Sequence, residues 1–176
     1  MINIIKDTQF IGIHEKTLSQ NACKYLTDYF EDNKKYREKN YNVMKTWQAE
    51  VRDELILDMT IDIIKPMIER TTNRKYKPGS TKLIDYVEGS WCKGHRDSLE
   101  QSHLSVITMI DMSSDLKGGQ AYFAKDEKAE SVWSMMPGPL YSGDTLIYSP
   151  NLFHGVYEVQ QGRRLVLVTW FLECEK

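Results

Sequence analysis

The stretch GDTLIYSPNLFHGVYEVQQGRRLVLVTWF, running from Gly143 to Phe171, decides the fold. It opens on the turn signal Gly143-Asp144 and enters the apolar run Thr145–Ser149. Pro150 closes that run, because proline has no N–H to give to a sheet ladder. Gly162 marks a second turn, and the apolar run Leu165–Leu172 follows it. Short apolar runs rich in Val, Ile, Thr and aromatics, bounded by Gly and Pro, read as buried β-strands. The polar residues in this stretch are the exception. His154 sits after the first run, and Arg163-Arg164 open the second. An arginine stays charged when buried, so an arginine inside a strand needs an anion.

Upstream, from Lys75 on, the same pattern recurs in Lys82–Val87, Ser105–Met112 and Gln120–Ala124. Turn signals at Pro78-Gly79, Glu88-Gly89, Gly118-Gly119 and Pro137-Gly138-Pro139 separate these runs. Before Lys75 the pattern is different. Phe10–His14 reads as a short strand. Ser19 is an N-cap, with Ala22, Tyr25, Leu26, Tyr29 and Phe30 following at helical spacing. Asp32–Asn42 is polar and reads as exposed. A second helix is expected over Thr46–Met59 and a third over Thr60–Thr71, which Pro66 ends or kinks. The expectation is one α+β domain over 1–176, with mainly helical support in 1–75 and a β core in 76–176. The core should be a sandwich or barrel with the N-terminal helices packed on one face.

Composition narrows the function classes. At 176 residues the chain can bury a core without staples. Hydrophobic residues make up 41% and charged residues 27%, ordinary values for a globular protein. A net charge of −2 and a pI of about 6.1 give no electrostatic case for nucleic acid or an anionic membrane. The basic run Lys34-Lys35 and Arg37 is interspersed with acids and reads as a solvated helix face. No apolar stretch approaches the roughly 18–20 residues of a membrane span, and the first residues do not read as a signal peptide. Cys23, Cys92 and Cys174 are scattered and odd in number, which fits free thiols in a reducing cytoplasm better than a disulfide framework or structural zinc.

His95-Arg96-Asp97 is an i, i+2 pair, and on extended chain both of its outer side chains point to one side. Arg96 points the other way. His154 lies 57 residues beyond Asp97, and Arg164 ten residues beyond that. Two imidazoles and a carboxylate can occupy one face of an octahedral metal and leave three positions open, the ligand set of non-haem Fe(II) oxygenases. His-x-Asp alone recurs by chance as a surface or core pair; the second His and the spaced Arg give the set its meaning. Arginine also offers a planar fork for a carboxylate.

Over Thr81–Leu172 these motifs resemble the Fe(II)/2-oxoglutarate-dependent dioxygenases, most of all the prolyl 4-hydroxylase-like branch. The matching pieces are Leu83-Ile-Asp-Tyr86-Val-Glu-Gly89, His95-Arg-Asp97 and Gly118-Gly119-Gln-Ala-Tyr-Phe123, followed by the opening stretch through Phe171. The lead-in from Phe10 through Cys23 is similar but less specific. The resemblance implies a double-stranded β-helix of the jelly-roll or cupin-like barrel type. Within it, His95, Asp97 and His154 hold the metal at the catalytic centre. Arg164 pairs with the distal carboxylate of 2-oxoglutarate, Tyr86 hydrogen-bonds the cosubstrate, Trp170 lines the pocket, and Arg163 faces away. For Tyr86 and Trp170, plain core packing is the competing reading. Relatives also carry a cosubstrate-facing residue on the strand before the Gly-Gly turn. Here that strand reads Thr108-Met-Ile-Asp111-Met112, which leaves the choice between Thr108 and Asp111 open, although an acid beside an anion is unfavourable.

The implied chemistry consumes O2 and 2-oxoglutarate, releases succinate and CO2, and hydroxylates an unactivated C–H, with ascorbate as an added reductant. The favoured substrate is a prolyl residue in a peptide or protein. A free amino acid, a small metabolite or a nucleobase is the alternative. From other classes, the alternatives are a non-catalytic β-helix binding module and a cupin-like isomerase or sensor without 2-oxoglutarate, which would not need Arg164. Trp91, Arg96 and Trp133 are weaker candidates for substrate contact. Met135-Met136 reads as core or loop filler, and His14 and His103 as structural.

Overall fold

The computed structural model describes residues 2–6, 9–33, 38–40, 44–124, 132–133 and 140–174. In chain order its elements begin with β1 (Ile2–Lys6), β2 (Gln9–His14), α1 (Gln20–Asp32), β3 (Glu38–Asn40), β4 (Met44–Glu50) and α2 (Glu54–Met59). A π-helical segment, Thr60–Ile64, leads into α3 (Lys65–Thr72). Then come β5 (Tyr76–Val87), β6 (Trp91–His95), β7 (Leu104–Met112), β8 (Lys117–Gly118), β9 (Ala121–Ala124), β10 (Val132–Trp133), β11 (Thr145–Tyr148), β12 (Phe153–Val156), β13 (Val159–Gln161) and β14 (Arg163–Glu173).

Every described strand pairing is antiparallel. The strand order is β1-β2-β11-β7-β14-β5-β4-β6-β12-β9-β10, with β3 on β4 and a separate β13-β8 pair. β4 joins two layers: Trp47–Glu50 pair with β5, and Met44-Lys45 pair with β6. The major layer runs from β1 to β4 in that order, and the minor layer from β6 to β10. The order is an open path, so among the described residues the sheet does not close into a cylinder.

Strand alternation assigns the two faces of the major layer. On β14, Leu165, Leu167 and Phe171 face the helices, where Leu26 and Phe30 of α1, Ile56 of α2 and Ile68 of α3 cover them. Val166, Val168 and Trp170 face the minor layer and pack with Phe123, Tyr148 and Val156. Each such apolar side chain taken fully out of water contributes about 1.5–3 kcal/mol, so register is strongly held here: a slip of one residue would put Arg164 among the helices.

Ser19 caps α1 as expected, accepting from the Ala22 N–H at 3.2 Å. Three expectations are corrected. Met44–Glu50 is a strand, where the stretch from Thr46 on was expected to be helix. The helix begins only at Asp53, whose carboxylate accepts from the Ile56 N–H at 3.2 Å and caps it. Pro66 neither ends nor sharply breaks the helical run. The Lys65 N–H bonds the Thr60 carbonyl five residues back, and this wider turn directly ahead of Pro66 lets the proline sit in the first turn of α3. Pro78-Gly79 is not a turn but part of β5, opposite an irregularity between Thr169 and Phe171, where a side chain at Gly79 would come within 2.9 Å of the Trp170 carbonyl oxygen. The side chains of the expected polar stretch are described only for Asp32 and Asn33. Pro137-Gly138-Pro139, Met135-Met136 and the side chain of Trp133 lie outside the described residues. No described helix is long and apolar enough to cross a membrane.

Candidate active site

β6 and β12 form a pair in which His95 and His154 are opposite one another. Asp97 follows β6 on irregular chain, and its N–H is held by the Pro150 carbonyl at 3.0 Å. The chain thus returns Asp97 toward β12. His95 Nε2 lies 3.5 Å from Asp97 Oδ1, and His154 Nε2 lies 3.8 Å from Asp97 Oδ2. One ligand atom from each of the three side chains falls within 4.8 Å of the others. Neighbouring ligands of an octahedral ion with bonds of about 2.1 Å stand about 3 Å apart, so the three need only a small inward closure to bind one.

The backbone fixes which ring nitrogen is free. His95 Nδ1 lies 2.8 Å from the Lys93 carbonyl and His154 Nδ1 lies 2.8 Å from the Leu152 carbonyl. In the neutral rings Nδ1 carries the proton and donates to the carbonyl, leaving the Nε2 lone pair of each toward Asp97. Ser105, at the start of β7, donates to Asp97 Oδ2 at 2.5 Å, and Ser102 lies 3.2 Å behind it. Burial works against the charge on Asp97, but the His95 hydrogen bond, the nearby His154 and Ser105 outweigh it, and the carboxyl is held below its usual value. Burial opposes charging His95 too; its bonds to Asp97, Cys92 and the Lys93 carbonyl outweigh this and raise its pKa to about 10. His154 is more deeply buried, and burial lowers it to about 4 despite Asp97. A metal therefore meets one ionised carboxylate, one neutral imidazole and one imidazole that yields a proton on binding.

These three side chains open into a cavity that is lined by Ile84, Tyr86, Phe123, Tyr148, Val168 and Trp170, among others. Arg164 sits on the same face of β14 as Val168 and Trp170, four and six residues away along the strand. It is 3% exposed. Its Nη1 donates to the Gly119 carbonyl, and its guanidinium lies over the Tyr86 ring, 5.1 Å from the centroid. Its Nε is buried without any partner. Among the described residues no carboxylate pairs with it, and burial lowers its pKa. Gly118 and Gly119 make the contact possible. Both have positive φ, at 73° and 70°, and a side chain at Gly118 would run into the Glu158 carbonyl.

The neighbouring arginine is the contrast. Arg163 Nε donates to Asp85 at 2.6 Å and its Nη2 to Glu31 of α1 at 2.7 Å. It faces the helices and pairs with two carboxylates, whereas Arg164 faces the interior between the layers with an unmet donor. That orphaned donor, together with two convergent imidazole nitrogens and one carboxylate, fits a divalent metal with a dicarboxylate ligand.

The sequence-derived residues therefore come together: His95, Asp97 and His154 at one point, Trp170 and Tyr86 on the cavity wall, and Arg164 beside Tyr86. Burial pushes the Tyr86 phenol well up, so it remains a donor. Neither Thr108 nor Asp111 takes the open role on β7. Thr108 bonds Thr145 Oγ1 at 2.8 Å, and its strand neighbours in the helix-facing core are Val106 and Ile110. Asp111 acts on Cys23, on the helical side. Ile107 lines the cavity instead. Arg96 is exposed and bonds the Asn151 carbonyl at 3.0 Å. Trp91 is half-buried at the far end of β6 from His95. His14 bonds Thr71 at 3.1 Å, and His103 accepts from the Glu173 N–H at 2.9 Å. Ser105 and Tyr148 were missed. Their signals were a lone hydroxyl at the head of an apolar run and, for Tyr148, its place two residues after Leu146 on the inward face.

No family model matches the chain, and no curated protein sequence matches it. Solved structures do. A viral collagen prolyl hydroxylase from Paramecium Bursaria Chlorella virus-1, in complex with 2OG, superposes with a TM-score of 0.70 at 12% identity, over 98% of this chain and 99% of that one. An oxidoreductase of the 2OG-Fe(II) oxygenase family from Burkholderia pseudomallei gives 0.74 at 12%, over 92% and 84%. A prolyl hydroxylase from Trichoplax adhaerens, in complex with a hypoxia inducible factor oxygen degradation domain peptide fragment, gives 0.70 at 13%, over 93% and 83%. At such identities the likeness is one of fold. The chain has the double-stranded β-helix fold of the 2OG-Fe(II) oxygenases.

Proposed function

We propose that this protein is an Fe(II)- and 2-oxoglutarate-dependent dioxygenase that hydroxylates a prolyl residue in a peptide or protein, with ascorbate as an added reductant. The observation that carries the reading is the pairing of two features in one interior. These are a convergent His95/Asp97/His154 set and a buried Arg164 with an unmet donor and no acid partner among the described residues.

His95, Asp97 and His154 would hold the iron, and Arg164 with Tyr86 would hold the distal carboxylate of 2-oxoglutarate. When bound, iron and 2-oxoglutarate supply the oxidation of a C–H bond at the cost of decarboxylation to succinate. The chain contributes the rest. The Lys93 and Leu152 carbonyls orient the two imidazoles, and Ser105 fixes which Asp97 oxygen is free. The walls of Ile84, Ile107, Phe123 and Val168 keep water away and strengthen the grip of Arg164 on an anion. The prolyl substrate is supported by the neighbours, two of which are named prolyl hydroxylases, and one of those holds a peptide.

Incubation with Fe(II), 2-oxoglutarate, ascorbate and a panel of Pro-containing peptides, read by succinate release and peptide mass, tests this. The expected result is a peptide that gains one oxygen per succinate formed. Turnover confined to free amino acids, small metabolites or nucleotides overturns the prolyl assignment and leaves the chemistry standing. Absence of succinate under all conditions overturns both.

A further inference from the structure

Tyr148 is the polar group of this cavity that the proposed function leaves without a role. It is 2% exposed, and its ring is held edge-on by Phe123 at 5.1 Å and by His154 at 4.7 Å. It lies on β11 directly opposite Ser105, the residue that anchors Asp97. Its hydroxyl is 3.2 Å from His154 Nε2. Because His154 Nδ1 donates to the Leu152 carbonyl, Nε2 of the neutral ring is an acceptor, and the Tyr148 O–H is the donor in this bond. That Nε2 lone pair is also the one His154 would give to a metal. A lone pair cannot serve both.

Once an ion takes Nε2, the Tyr148 hydroxyl loses its acceptor while its ring stays clamped. A buried donor without a partner is unfavourable, so it must turn to another oxygen. Ser105 already occupies one Asp97 oxygen, and the other faces His95. The acceptors left to a hydroxyl beside Nε2 are Ser105 Oγ, whose own proton goes to Asp97 Oδ2, and the oxygens of whatever ligand fills the open metal positions. We propose that Tyr148 is a donor that changes partner, capping His154 Nε2 when no ion is bound and gripping the metal-proximal oxygens of a 2-oxo acid when one is. This inference rests on the 2-oxoglutarate reading and assigns the end of the molecule opposite to the one held by Arg164.

The test uses the whole protein loaded with Mn(II) under anaerobic conditions, with Tyr148→Phe, which keeps the ring and removes the hydroxyl. Calorimetry is expected to show Mn(II) alone binding Tyr148→Phe as tightly as wild type or more tightly, because no bond to Nε2 has to break. 2-Oxoglutarate should bind the Mn(II)-loaded variant about tenfold more weakly. Pyruvate, which keeps the 2-oxo acid and lacks the distal carboxylate, should suffer the same loss in Tyr148→Phe and none in Arg164→Ala. Unchanged 2-oxoglutarate and pyruvate binding in a folded Tyr148→Phe overturns the proposal while the 2-oxoglutarate site stands. Wild-type protein that binds no 2-oxoglutarate with Mn(II) present overturns both. Should Tyr148→Phe not fold, wild-type protein with Zn(II) as a diamagnetic ion decides the matter. The Tyr148 Cζ carbon resonance is expected to shift on adding Zn(II) and again on adding pyruvate; no second shift overturns the proposal.

Discussion

His95 and His154 are register partners across β6 and β12, and their ring centroids lie 4.4 Å apart. The candidate metal set is thus a product of sheet pairing. Two candidate ligands are fixed by one antiparallel ladder, and only Asp97 depends on a loop, where the Pro150 carbonyl holds its N–H and Ser105 its carboxylate. Asp97→Ala is expected to remove metal binding to the limit of detection in a Mn(II) titration, because it removes the one negative ligand.

Ser105→Ala leaves every candidate ligand in place and removes the 2.5 Å bond that orients Asp97, together with the contact to Ser102. Outer partners of this kind are worth about 10–100-fold in metal affinity. The expected result is a Mn(II) dissociation constant raised within that range, with the unfolding midpoint in urea little changed. An affinity equal to wild type would show that Asp97 is held by the loop alone.

Arg163→Ala and Arg164→Ala separate the two faces of β14. Arg163 joins α1 to the sheet through Glu31 and Asp85, and its loss should cost about 1–3 kcal/mol in urea unfolding while leaving 2-oxoglutarate binding intact. Arg164→Ala should show the reverse emphasis. Truncating one side of a buried charge pair costs about 2 kcal/mol or more, so the 2-oxoglutarate requirement should rise about thirtyfold or more. Arg164→Lys should not rescue it, since an ammonium lacks the planar fork that meets both the Gly119 carbonyl and a carboxylate.

Gly119→Ala tests the turn that steers Arg164. Its φ of 70° and a Val159 methyl 2.9 Å from an added Cβ both oppose the substitution. A left-handed residue with a side chain costs about 1–2 kcal/mol. Lower stability is expected together with weaker 2-oxoglutarate binding, because the Gly119 carbonyl moves off Nη1.

The sequence was legible where a strand is apolar on both faces. β14 is such a strand, with helices on one side and the cavity on the other, and its run Leu165–Leu172 stood out with Arg164 at its head. β11 and β7 were readable for the same reason. β6 and β12 were not. Trp91-Cys-Lys-Gly-His and Phe153-His-Gly-Val carry their candidate ligands amid Gly and polar residues, because one face of each presents His95 or His154 and a side chain at Gly94 or Gly155 would collide with Tyr122. β4 was taken for helix since Met44–Glu50 lacks β-branched residues apart from Thr46, and its true signal was the Asp53 cap that starts the helix after it. The candidate ligands were picked out by their spacing; the groups that orient them are carbonyls and a serine brought in by tertiary pairing, which spacing does not reveal.

The central claim is that His95, Asp97 and His154 hold an iron that turns over 2-oxoglutarate held by Arg164. Succinate formation from 2-oxoglutarate in air, with and without added Fe(II), in wild type and in Asp97→Ala, tests it most directly. Fe(II)-dependent succinate in wild type and none in Asp97→Ala is the predicted result. Succinate formed equally by both proteins, or by neither, would contradict it.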